Sequence, residues 1–346
     1  MAKNRNAYKR QIKKARRKRI VAWILLPILV LTISATVYGA FLYSKAESVM
    51  DESYTPIERD TKRTEVDPKV DNISILMIGV DDSDTRAEVN SRSDALMVAT
   101  FNKKAKSVKL LSIPRDSLVY IPSEDIEDKI NHAHAFGGPA STIETVEELL
   151  EIPIDYYVKV NFNAFIDIVD ALDGIKVEVP YAINEFDSKD NRNAISLQPG
   201  LQVLDGEEAL ALARTRHQDN DIMRGERQQE ILKAIVDKAI SANSITKYAD
   251  VIDAIGENMQ TDLSFSQMKS FFDYATAGSS LQIDSIKIDG EDLWIDNGNN
   301  RSYYYQLDEE SISEVQLTLQ VHLGIEEEEL DRSSLEDSEN TNSSNY

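Results

Sequence analysis

The chain has 346 residues, 42% of them hydrophobic, and a formal net charge of −22. That is enough apolar chain for one large domain or two ordinary ones, while the complete lack of cysteine excludes a disulfide framework and thiolate metal sites. The acidity is uneven: residues 1–19 hold ten Lys or Arg and no acid, leaving 28 basic against 60 acidic groups, or −32, in the remainder, a balance that repels nucleic acid.

The first element is the uncharged run from Ile20 to Ser44, 25 residues rich in Ile, Leu and Val. It exceeds the ~20 residues needed to cross a hydrocarbon core and the ~7–15 of a cleavable signal's apolar region. It therefore predicts a retained transmembrane helix over 20–44, with Trp23, Tyr38 and Tyr43 near its ends. The basic arm, 1–19, then lies in the cytoplasm and the remainder is extracellular, at the cell membrane. Residues 45–70 are polar, contain two prolines and read as a stalk.

A folded domain is expected over 71–323. Continuous apolar runs predict strands at 73–80, 95–101 and 108–113, the last two joined by the polar NKKAKS. The Ser141-x-x-Glu144 spacing is a capping-box signature, predicting a helix from there to about Glu151. Beyond it, strand patterns at 156–160 and 175–179 alternate with helical ones at 163–172, 206–214 and 223–240. Helices near 246–258 and 266–276, short strands near 282–288 and a helix near 309–323 complete the domain. The class is α/β, a central mixed and partly antiparallel sheet flanked by helices. Residues 324–346 form an acidic tail rich in Ser and Asn, expected to be disordered.

If the first strand runs up, its top carries Asp81 and Asp82. An antiparallel second strand starts there with Arg92-Ser93-Asp94, and the third returns to end at Pro114-Arg115. Three segments thus deliver Asp81, Arg92, Asp94 and Arg115 to one end of the sheet, where α/β proteins usually keep their sites. Paired carboxylates suit Mg²⁺, or Mn²⁺, which takes oxygen ligands and substrate phosphates; arginines grip phosphate oxygens in pairs. Arg214, Arg216, Arg224 and Arg227 fall within fourteen positions of an otherwise acidic body. Arg224 and Gln228, four apart, share a face at a helix N-terminus suited to anions.

Weaker candidates are His132 and His134, which lack the third ligand that zinc requires, His217 beside the arginines, and Gly137-Gly138, read as a turn into the following helix. Apolar residues along Ile231–Ile240 suit core packing first and an apolar tunnel second.

In series, ILMIGVDDSD, RSDALMVATFN, VKLLSIPRDSLVYIP, KINHAHAFGGP, TVEELLEIPIDYYVKVNF, LDGIKVEVP, LDGEEALALARTR and RGERQQEIL resemble the motifs of the LytR-CpsA-Psr family over about residues 71–240, and more weakly to 323. The resemblance implies a membrane-anchored phosphotransferase of the bacterial envelope. Such enzymes move teichoic acid or capsular polysaccharide from a polyprenyl pyrophosphate carrier, held in an apolar tunnel, to peptidoglycan. Some carry pyrophosphatase side activity. On the family pattern Asp81 (or Asp82) and Asp94 hold Mg²⁺. Arg115, Arg214, Arg216, Arg224 and Gln228 bind the pyrophosphate, with Arg92, Lys129 and Arg227 close by. Asp81, Asp94, Arg115 and Arg224 are the expected catalytic set. A non-catalytic receptor for lipid-linked glycans is the alternative. Direct transcriptional regulation fits badly, since nineteen cytoplasmic residues are too few for a folded DNA-binding domain.

Overall fold

The computed structural model describes residues 2–57, 66–68, 71–81, 91–215, 221–241, 247–256, 258–276, 282–298 and 300–325. The chain divides into two compact units, 1–48 and 49–346. The expected tail beyond 325 lies outside the described residues. In the first unit the chain is helical, as part of α1 (Ala2–Ser53). Judged on the described side chains alone, no helix is long and apolar enough to cross a membrane. Most of those described within the uncharged run, including Trp23, Leu26, Leu31 and Val37, are well exposed, and Tyr38 and Leu42 are half-buried.

The second unit is built on a six-stranded sheet ordered β11-β6-β1-β2-β3-β12. Its strands are β1 (Ile73–Val80), β2 (Ser93–Asn102), β3 (Ser107–Ser112), β6 (Tyr156–Asn161), β11 (Met259–Thr261) and β12 (Gln282–Ile286). β1, β2 and β3 run antiparallel to one another, β6 is parallel to β1, and β12 is parallel to β3. The sheet is mixed, as the sequence predicts. Smaller two-stranded pieces pair β4 (Leu118–Ile121) with β5 (Ile126–Lys129), β7 (Ile175–Val179) with β10 (Gly200–Leu204), β8 (Ile183–Glu185) with β9 (Ile195–Leu197), and β13 (Gly290–Asn297) with β14 (Asn300–Leu307).

Helices α2 (Ile130–Leu150) and α8 (Glu309–Leu323) cover one face of the sheet. Leu76, Ile78, Val80, Leu96, Val98 and Leu111 pack there against Ile130, Val146, Val315 and Leu319, joined by Tyr305 and Leu307 of β14. Alternate residues of the same strands point the other way, as the two-residue strand period requires. On that second face Leu232 of α5 (Asp221–Ile240) packs with Met77, Leu110 and Phe101, and Phe271 of α7 (Phe265–Thr276) covers Phe101. Yet Met77, Gly79, Ala95 and Met97 on this face are only half-buried, although β1 and β2 are interior strands. A separate apolar cluster links α3 (Phe162–Ala171), β7, α4 (Gly206–Arg214) and α5. Among the described residues α6 (Tyr248–Gly256) and a 3-10 turn at Pro122–Glu124 complete the helices.

Two expectations need correction. Residues 49–57 are not stalk but part of the folded unit: α1 continues to Ser53, Met50 is buried, and Ile57 packs on the main core. The Thr55 N–H donates to the Thr261 carbonyl at 2.7 Å, and the Tyr157 hydroxyl to the Thr55 carbonyl at 2.8 Å. Sparse apolar residues tied by backbone bonds carry no periodic signal. Second, the helix expected from Ser141 opens two residues earlier, at Pro139, after the expected turn at Gly137–Gly138, where Gly138 has φ 62°, and a first helical stretch from Ile130 precedes that turn. Ser141 is therefore interior, and its carbonyl accepts from the Thr145 hydroxyl. By contrast α4 does open with a capping box, between Asp205 and Glu208.

Candidate active site

Strand order fixes which loops meet. Because β1 and β6 are parallel, Val80 and Asn161 end side by side; because β2 is antiparallel, Ser93 starts opposite Val80. A bulge between Gly79 and Val80 lies at this rim. Asp81 and Arg92 thus leave the sheet from one paired position, with Asp94 next along β2. β3 ends at the same rim, and Ile113 and Pro114 lead from it to Arg115.

Here Arg115 Nη1 donates to Asp94 Oδ1, and both side chains keep a quarter to a third of their surface open to solvent. Asp116 is buried beneath them. Its carboxylate accepts from Lys129 Nζ at 2.8 Å and lies 3.7 Å from Arg115 Nε, so it holds both cations in register. Lys129 also sits over the rings of Tyr303 and Tyr304, at 5.7 and 5.5 Å. The sequence assigns no role to Asp116, although it follows Arg115 directly, and the only sequence signal of the two tyrosines is the run Tyr303-Tyr304-Tyr305.

The helical arginines approach the same rim from other elements. Arg214, the last residue of α4, stacks over Phe162 at 4.8 Å, immediately after the end of β6. Arg224 is buried in the first turns of α5. Its neighbour Gly225 touches β3 so closely that an added Cβ would lie 2.6 Å from Ser112 Oγ. Ile222, one turn earlier, packs into the core on the opposite sheet face. The start of α5 therefore straddles the sheet rim at the end of β3.

Arg227 and Gln228 are occupied differently from the expectation. Arg227 Nε donates to the Leu212 carbonyl at 3.1 Å and Nη2 to the Thr215 carbonyl at 2.6 Å, while Gln228 Nε2 donates to the Ala213 carbonyl at 3.2 Å. They satisfy the otherwise orphaned carbonyls at the C-terminus of α4 and so fix where Arg214 stands. Asp82, Arg216 and His217 lie outside the described residues. Arg92 is exposed at the rim.

The two histidines part company. His132 Nδ1 pairs with Asp128 Oδ2 at 2.6 Å, whereas His134 Nδ1 bonds the Ser91 carbonyl at 2.7 Å, holding the segment that enters β2. Among the described residues no group of three or more His, Asp or Glu is placed to hold a metal. Among the described residues Asp81 and Asp94 stand at the rim, an oxygen-only set of the size that magnesium needs from a protein when phosphates complete its shell.

The LytR_cpsA_psr family model matches residues 40–321. Polyisoprenyl-teichoic acid–peptidoglycan teichoic acid transferase TagT of Bacillus subtilis (strain 168) is 40% identical over 323 residues, 91% of this chain and 98% of its own length. The solved structure of TagT bound to LIIa-WTA superposes with a TM-score of 0.66 at 41% identity, covering 79% of this chain and 99% of that one. The family protein YwtF (TagT) with bound octaprenyl pyrophosphate lipid gives 0.62 at 39% identity, with the same coverage. The chain belongs to the LytR_cpsA_psr family.

Proposed function

We propose that this chain is a membrane-anchored phosphotransferase that moves an anionic glycopolymer, teichoic acid or a capsular chain, from a polyprenyl pyrophosphate carrier to peptidoglycan. The observation that carries the reading is the Asp94–Arg115 pair at a rim where β1, just before Asp81, and α4, with Arg214, also end and α5, with Arg224, begins. Relatives that act on the same chemistry support it. Anchoring is supported by the uncharged stretch of α1, most of whose described apolar side chains stand exposed, behind ten basic residues. With those residues in the cytoplasm, the catalytic unit lies outside the membrane.

The half-buried apolar floor formed by Met77, Ala95 and Met97 suits the carrier's hydrocarbon, and the rim above it suits the pyrophosphate. Asp81 and Asp94 would hold Mg²⁺, or Mn²⁺, which when bound supplies positive charge to the pyrophosphate oxygens. Arg115, Arg214 and Arg224, with Arg92 and Arg216, bind those oxygens; Asp116, Lys129, Arg227 and Gln228 hold the donors in place. An acceptor hydroxyl forms a bond to the phosphorus bearing the glycopolymer, the bond from that phosphorus to polyprenyl phosphate breaks, and the hydroxyl proton passes to Asp81 or Asp94 or to water. The arginines stabilise charge that grows on the transferred group and the leaving phosphate.

The test is single-turnover transfer by the full chain from a labelled lipid-pyrophosphate glycopolymer. Arg115→Ala is expected to slow it on the order of 10²–10³-fold, the usual cost of a lost oxyanion donor, with the melting temperature nearly unchanged. Carrier binding without any product would instead identify a non-catalytic receptor.

A further inference from the structure

Beside the site stands the two-stranded ribbon β13–β14. Among the described residues β13 and β14 pair with each other along their length, in register from Gly290↔Leu307 to Asn297↔Asn300, and β14 makes one further bridge, from Tyr305 to Ser117. The base is fastened to the site itself: the Tyr305 N–H donates to the Asp116 carbonyl at 2.8 Å, next to Arg115. The ribbon thus continues the rim outward.

Cross-strand pairing puts Asp292, Trp294 and Asp296 opposite Tyr305, Tyr303 and Arg301 on one face. Trp294 is 48% exposed, a high value for the largest apolar side chain. Tyr303 meets it edge-on, with centroids 5.2 Å apart and planes at 62°. The Arg301 guanidinium lies 5.1 Å over the indole, and Asp296 is 3.7 Å from Arg301 Nε. The Tyr303 hydroxyl donates to Asp292 Oδ1 at 2.9 Å. An indole bordered by carboxylates and a guanidinium has the chemistry of a sugar platform. The C–H face of a pyranose stacks on the ring, and its hydroxyls meet planar donors and acceptors at the edge.

Charge decides which sugar. The ribbon carries three acids and one arginine, and it would repel a phosphate-rich polymer. A neutral glycan is not repelled. Direction agrees. Displacement at phosphorus brings the attacking and leaving oxygens roughly into line. The apolar floor that suits the carrier is on the second sheet face. Tyr305 and Leu307 of the ribbon belong to the core on the first. The incoming hydroxyl therefore arrives from the ribbon's side. We propose that the Trp294–Tyr303 face of this ribbon binds the neutral amino-sugar glycan that supplies the acceptor hydroxyl. The assignment to the acceptor rests on the transferase reading; the affinity for neutral glycan does not.

Trp23 is the only other tryptophan, so the full-length W23F protein in detergent reports Trp294 alone. Chitotetraose is expected to change its emission saturably, and poly(glycerol phosphate) to leave it unchanged. In transfer assays Trp294→Ala should raise the acceptor KM on the order of tenfold, leaving kcat and the carrier KM as they were, and Trp294→Tyr should restore most of the loss. The absence of any chitotetraose response in a folded W23F protein overturns the proposal, whether or not transfer occurs. A Trp294→Ala defect in carrier KM or kcat alone also overturns it, by assigning the ribbon to the donor. A chitotetraose response in a protein that transfers nothing keeps the glycan site and sinks the transferase reading.

Discussion

Arg227 shows how a residue's type can be legible while its duty is not. Four arginines in an acidic chain signal an anion site, and Arg214 and Arg224 do stand at the rim, but Arg227 is buried with its Nε and Nη2 on the carbonyls of Leu212 and Thr215. Spacing along a helix cannot reveal that a neighbouring helix ends beneath the guanidinium. Arg227→Ala would strand those carbonyls, so a loss of about 2–4 kcal/mol in urea unfolding is expected, larger than that for Arg115→Ala. A second residue-scale consequence concerns His322 in α8. Its Nδ1 and Nε2 lie 2.8 and 2.9 Å from the hydroxyls of Thr100 and Ser107. Burial, helped by Lys109 and opposed by Asp284, holds its pKa down at about 4 against an ordinary 6.5. The unfolded chain takes up a proton that the fold resists, so stability is full above about 6.5 and declines as the pH falls toward 4. Urea midpoints at pH 7.5, 6 and 5 should fall in that order, and His322→Gln should flatten the trend.

At the scale of elements, continuous apolar runs and helical periods revealed β1, β2, β3 and the principal helices, because those signals are local. The short ribbons β4–β5, β8–β9 and β13–β14 went unseen, since their pairing carries little periodicity. The pairing of β3 with β12, over 170 residues apart in sequence, is equally hidden. The fit of α5 against β3 belongs to the same class. It depends on Gly225, where a Cβ would stand 2.6 Å from Ser112 Oγ and 2.9 Å from Ser112 Cβ. Helix propensity alone makes Ala better than Gly there. Contact with β3 reverses the sign: Gly225→Ala is expected to destabilise by about 1–3 kcal/mol and, by lifting the turn that carries Arg224, to slow transfer as well. Calorimetry beside a rate measurement tests both.

For the molecule as a whole, the boundary of the folded unit is the main revision to the sequence picture. Met50, Thr55 and Ile57 belong to it, although the segment reads as a polar spacer. A chain starting at Val49 is expected to unfold cooperatively, while one starting at Asp71 loses about 3–6 kcal/mol, the worth of the buried Met50 and Ile57 side chains and their neighbouring hydrogen bonds. Equilibrium denaturation of the two truncations tests this.

The partly uncovered floor of Met77, Gly79, Ala95 and Met97 has a bearing on how the purified protein will behave. A domain whose innermost strands still touch water has an interior that is finished from outside. Any hydrocarbon that settles there joins the cooperative unit and stabilises it by mass action, by about 2.7 kcal/mol at a hundredfold excess over Kd, so its melting point rises. Preparations stripped of lipid and preparations that carry some along will then melt as if they were two different proteins.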